Sequence, residues 1–95
     1  MRIVRIDCTG VEAPDAFWQR YLAAANPVGA ERFGRNLDAF WDAIEGGGPG
    51  WPGDVRIVVT NSEALSRLQT AGGGSFLQEL RRIADEAKAI SIELV

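Results

Sequence analysis

Phe33-Gly34-Arg35-Asn36-Leu37-Asp38-Ala39-Phe40-Trp41-Asp42-Ala43-Ile44-Glu45-Gly46 writes two faces onto one short helix. At about 100° per residue, Leu37, Phe40, Trp41 and Ile44 form an apolar stripe at i, i+3, i+4, i+7, and Asp38, Asp42 and Glu45 fall beside it. The pattern predicts a helix over residues 36–45 with Leu37, Phe40 and Ile44 buried and the three acids in solvent. Asn36 is placed to cap it, its side-chain oxygen accepting from the first turn. Carboxylates at i and i+4 repel by about 0.2–0.5 kcal/mol per exposed pair, so a helix shaped only for stability would carry Lys or Arg at one of these places. Asp38, in the first turn, is favoured by the positive end of the helix dipole. Asp42, a turn later, gains little from it and points more strongly to a cationic partner. A plain solvated acidic face is the competing reading, since charged helix faces are mostly soluble surface.

The run Phe-Gly-x-Asn-Leu-Asp-Ala-Phe-Trp-Asp resembles the signature of the barstar family, small intracellular inhibitors of secreted ribonucleases. Phe33, Gly34, Asn36, Leu37, Asp38, Ala39, Trp41 and Asp42 match the family pattern. The resemblance implies that Asp42 enters the phosphate site of the enzyme with Asp38 flanking it, and that Phe33, Gly34, Asn36 and Trp41 line the contact surface. Glu45 joins that face by its angular position. Alternatives stand for three of these: Trp41 as core, Gly34 as a bare turn glycine, Phe33 as a packed staple. The chain also departs from the pattern. Arg32 and Gly47 stand where the best-known member has aromatics, and Arg82 where the family has a second contacting acid. Glu79 and Glu86 share the helix face of Arg82, at i−3 and i+4, so all three form a secondary candidate surface.

Outward from this helix, the chain reads as one domain, residues 1–95. At this length a single core buries roughly 60–65% of the surface an unfolded chain exposes. Apolar residues at 46% and charged ones at 24% are ordinary globular values. Cys8 is the single cysteine and there is no His, which excludes an internal disulfide and removes the commonest metal ligand and general base. Neither a metal nor a cofactor is expected, and Cys8 reads as a buried small hydrophobe. The opening Met1-Arg2-Ile3-Val4-Arg5-Ile6-Asp7 mixes charge into its apolar run, unlike a signal peptide, and predicts a cytoplasmic protein without a membrane span.

Residues 2–8 alternate as a strand, and Pro14 opens a helix with Phe17, Trp18, Tyr21 and Leu22 on its stripe, up to Asn26-Pro27. Residues 46–53 hold five glycines and two prolines and must be loop. Residues 54–60 form a β-branched strand suited to burial on both faces of a parallel sheet. Asn61 or Ser62 caps a short helix through Leu65 and Leu68, ended by Gly72-Gly73-Gly74. Ser75 and Gln78 make a capping-box pattern for a helix with Phe76, Leu77, Leu80, Ile83, Ala84 and Ala87 on its stripe, and residues 90–95 form the last strand. The expected fold is α/β: a small three-stranded parallel sheet packed with about four helices, joined by right-handed crossovers.

Catalytic carboxylate pairs flank a cleft, whereas Asp38 and Asp42 share one helix, so an enzyme is not expected. Ten Lys and Arg scattered against thirteen acids do not make the basic patch that nucleic acid requires. The resulting expectation is a non-enzymatic immunity protein, monomeric when free, that binds a cognate basic ribonuclease, binding neither nucleic acid nor membrane. A barstar-like module for a different toxin or a non-nuclease partner is the alternative.

Overall fold

The computed structural model describes all of residues 1–95. Its elements are β1 (Arg2–Asp7), α1 (Pro14–Ala25), α2 (Leu37–Gly46), β2 (Val55–Thr60), α3 (Phe76–Glu86) and β3 (Ser91–Leu94), with single 3-10 turns at Ala30–Arg32 and Ser62–Leu65. The three strands pair in parallel in the order β1-β2-β3, with Val4 opposite Ile57 and Ile57 opposite Ile92. No helix is long and apolar enough to cross a membrane.

A sequential strand order with right-handed crossovers puts every helix on the same face of the sheet. Val4, Ile6, Val55, Ile57, Val59 and Ile92 point to that face and are buried. Ile3, Arg5, Asp7 and Arg56 lie on the other and are exposed. Burial on both faces of β2, expected from its β-branched run, is therefore not what the fold does. Val58 alone is buried on the open side, where Arg5 and Glu93 are its cross-strand neighbours. Long charged side chains beside a central-strand residue cover it with their aliphatic stems. Arg56 and Glu93 also form an ion pair on this face.

The helix count is three, not about four. The segment after β2 makes one 3-10 turn, held by i→i+3 bonds from Ala64 to Asn61 and Ser66 to Glu63. Leu65 and Leu68 are buried as expected, but a spacing of three fits a 3-10 turn as well as an α-helix. Neither proposed cap operates. Asn61 sits in the left-handed region at φ 53° and gives its side-chain amide to Asp7 instead, at 2.9 Å.

Trp18 is the hub of the core. Its ring lies 4.9 Å from Phe17, 5.4 Å from Phe40, 5.5 Å from Phe33 and 5.8 Å from Phe76, so one side chain joins α1, α2, α3 and the loop ahead of α2. Edge-on aromatic pairs add about 0.5–1.5 kcal/mol each beyond buried area. Pro14 opens α1 as expected, and Asn26, left-handed at φ 45°, ends it by donating to Leu22 O. Ser75 accepts from Gln78 N at 3.2 Å and starts α3.

An acidic helix and its glycine collar

Asn36 caps α2 by accepting from Ala39 N at 2.7 Å, and its amide donates to Gly34 O at 3.2 Å. Arg35, in between, is left-handed at φ 54°, with its guanidinium 3.3 Å from Asp15. Gly34 has a packing reason to be glycine: a β-carbon there would sit 3.0 Å from that of Ala39. The loop is thus drawn tight against the first turn. Phe33, placed by resemblance on the contact surface, is only 5% exposed and packs between Trp18 and Tyr21. It supports the loop from beneath.

Along α2, Phe40, Ala43 and Ile44 are buried, while Leu37, expected to be buried, is half-buried at the edge of the core. Trp41 is half-buried and packs against the core, as its core reading expects. Asp38 and Asp42 are both exposed. The ion pairs of the chain are Arg32–Glu31, Arg35–Asp15, Arg56–Glu93 and Arg82–Glu79, so neither acid is neutralised by its own chain. Residues one turn apart on a helix stand about 5–6 Å apart at Cβ, which makes the two acids a doublet on one exposed face, with the Asp42 carboxylate leaning toward Gly46 and Gly48.

Glu45 is engaged elsewhere. Its Oε1 accepts from Lys88 N at 2.7 Å and Ala89 N at 2.9 Å, tying the end of α2 to the turn between α3 and β3. This bond pair joins positions more than forty residues apart, and no local pattern announces it. Glu79 and Arg82 pair with each other, and Glu86 is exposed at the far end of α3. A groove of about 600 Å³ runs beside the first half of α2, with Asn36 and Asp38 on one wall, Gln69, Thr70 and Glu79 on the other, and Trp18 and Phe76 among its lining. It brings Asp38 and Glu79 together, but Arg82 and Glu86 do not line it.

Beyond α2 the chain folds back over its own last turn. Gly47, left-handed at φ 72°, and Gly48 both donate backbone N–H to Asp42 O, the second at 3.3 Å. Gly50 N donates to Val28 O at 3.0 Å, and Tyr21 donates its buried hydroxyl to Gly50 O at 2.7 Å. Gly50 is obligatory: it is left-handed at φ 93°, and a β-carbon would come within 2.6 Å of the Phe33 ring. Burial raises the Tyr21 phenol well above its ordinary range, so it remains a donor. The glycine-rich segment, expected as loop, is a fixed collar around the end of the acidic helix.

Elsewhere, Cys8 is fully buried, and loss of solvation pushes its thiol up to about 11. Asp7, at the end of β1, accepts from Thr9 N, Asn61 Nδ2 and the Thr9 hydroxyl, which hold its carboxyl down at about 2. No group of three or more His, Cys, Asp or Glu side chains gathers where a metal ion could be held. The chemistry open to the acidic face is charge-assisted acceptance of hydrogen bonds from a cationic partner.

No curated protein matches the chain. A family model, by contrast, that of Barstar (barnase inhibitor), matches residues 1–95, the whole chain. It matches a parallel α/β fold that presents a capped helix with two unneutralised acids, and the chain belongs to the barstar family.

Proposed function

We propose that this protein inhibits a basic ribonuclease by seating α2 in the phosphate-binding cleft of the enzyme, with Asp42 as the principal acid and Asp38 beside it. One observation carries the reading: both carboxylates are exposed and unneutralised, and Asp42 sits in the second half of the helix, where the dipole and a like charge at i−4 both disfavour it. Such a residue lowers stability, and its carboxylate makes no hydrogen bond or ion pair within its own chain. A rigid helix with aligned carboxylates imitates the phosphates of RNA and accepts paired bonds from guanidinium groups without being ordered first. The protein acts without catalysis, as a monomer in the cytoplasm of the cell that makes it, and needs no cofactor. Gly34, Asn36 and Trp41 form the rim of the contact, and Glu79 stands at the groove beside it with its charge paired to Arg82.

Arg82 favours a second reading, a module of the same fold fitted to a different toxin or to a non-nuclease partner whose surface presents an acid to it. RNA cleavage by a panel of small basic ribonucleases, barnase among them, separates the two. Stoichiometric inhibition that is lost in Asp42→Ala is the expected result. Inhibition undiminished by that change would refute the role given to the helix, and no inhibition of any member would favour the second reading.

A further inference from the structure

Resting on the reading of Asp42 as the principal docking acid, we propose that Gly48, together with Gly46, is a positioning residue for the Asp42 carboxylate: their missing side chains leave the notch in which it sits. Gly48 does not adopt the left-handed conformation that obliges Gly47 and Gly50 to be glycine. Its φ carries no such demand for glycine. What excludes a side chain is Asp42: a β-carbon on Gly48 would overlap Oδ2 and lie 3.1 Å from Cγ and 3.7 Å from the carbonyl oxygen of the same residue. On Gly46 a β-carbon would lie 3.0 Å from Oδ1 and 3.8 Å from Cγ of Asp42.

The overlap cannot be relieved by moving the loop. Gly47 N and Gly48 N are both bonded to Asp42 O, and Gly48 O accepts from Trp51 N at 3.1 Å. The next residues are held by the Gly50–Val28 and Tyr21–Gly50 bonds. The side chain of Asp42 is therefore the part that gives way, by turning about χ1. A carboxylate turned by one rotamer well no longer offers the same pair of oxygens to a guanidinium fork, and charge-assisted bonds depend steeply on that geometry. Gly48 thereby sets the direction of an acid six residues away without touching a partner.

Gly48→Ala is the test, with Gly46→Ala as a second variant inside the last helical turn. Three-bond couplings of Asp42, measured by NMR on the isolated protein, should report a changed χ1 in Gly48→Ala and a smaller change in Gly46→Ala. The thermal midpoint should stay level or rise, since alanine at an ordinary φ narrows the unfolded ensemble. With barnase as the probe, inhibition by Gly48→Ala should be at least tenfold weaker, and adding Gly48→Ala to Asp42→Ala should cost nothing more. An unchanged χ1, full-strength inhibition by Gly48→Ala, or an equal loss in the Asp42→Ala background would overturn the positioning role. If Asp42→Ala inhibits as well as the parent, or the parent leaves barnase untouched, the docking reading fails instead for that enzyme. The rotamer measurement then decides the notch by itself.

Discussion

Asp42→Ala and Glu45→Ala remove acids three residues apart on one helix, and the structure requires opposite outcomes. Glu45 accepts two backbone N–H groups, from Lys88 and Ala89, which alanine would leave to water. Hydrogen bonds to a charged group contribute about 1.5–3 kcal/mol each when sheltered, and these are exposed, so about 1–3 kcal/mol for the pair is the working figure. At about 4–8 °C per kcal/mol for a domain of this size, Glu45→Ala should lower the thermal midpoint by roughly 4–24 °C. Glu45→Gln keeps an acceptor oxygen and should recover much of the loss. Asp42→Ala removes a repulsion of about 0.2–0.5 kcal/mol and a charge misplaced on the dipole, so its midpoint should hold or rise by up to about 1 kcal/mol equivalent. In ribonuclease inhibition the order reverses, with Asp42→Ala losing far more than Glu45→Gln. Calorimetry and RNA cleavage on the same three preparations measure both axes. A Glu45→Ala midpoint equal to the parent would refute the tether, and an unfolded Asp42→Ala would make that acid structural.

Tyr21→Phe should cost about 1–3 kcal/mol in urea unfolding, because it strands the Gly50 carbonyl beneath the collar; an unchanged midpoint would deny that bond its role. Asp7 is held at about 2 against an ordinary 3.8, so its stabilisation is complete above the ordinary value and is lost as pH falls toward 2. Asp7→Asn should therefore flatten the acid limb of stability against pH between those values, and an identical limb would argue against the Thr9 and Asn61 bonds. Cys8, buried with its thiol raised to about 11, should resist disulfide reagents at neutral pH in the folded protein and react at once in denaturant. Association with a basic ribonuclease should slow steeply with salt, since steering is screened beyond about 8 Å at physiological ionic strength, while dissociation changes little. Arg82→Glu should tighten the same complex; indifference to both would mean that another face docks.

Local chemistry was legible in the sequence where one residue does one nearby job. Asn36 and Ser75 cap as their side chains dictate, Pro14 opens α1, and the 3.6-residue stripe of α2 buries Phe40 and Ile44. The misreadings are tertiary. The spacing of Leu65 and Leu68 admits two helix types, and Asn61, read as a cap, gives its amide to Asp7 at the end of the neighbouring strand instead. The β-branched run of β2 looked buried on both faces because composition does not reveal that sequential strand order leaves one face open. At the site, the exposed doublet Asp38 and Asp42 follows from periodicity, and their role from resemblance. The tether of Glu45 and the notch at Gly48 depend on contacts made only when distant or folded-back backbone arrives.

The Trp18 hub has a consequence for how the protein opens. Because that ring packs on residues from all three helices and from the loop ahead of α2, the acidic helix has no separate core to melt from. Peeling it away would expose Phe40, Ala43 and Ile44 and unseat Trp18 together, which is close to global unfolding. Amide hydrogens in the middle of α2 should therefore exchange at the rate set by whole-molecule opening, as should those of β2, while the exposed Gly72 amide exchanges far faster. Local breathing, the usual source of adaptability at a recognition surface, should be suppressed at this one.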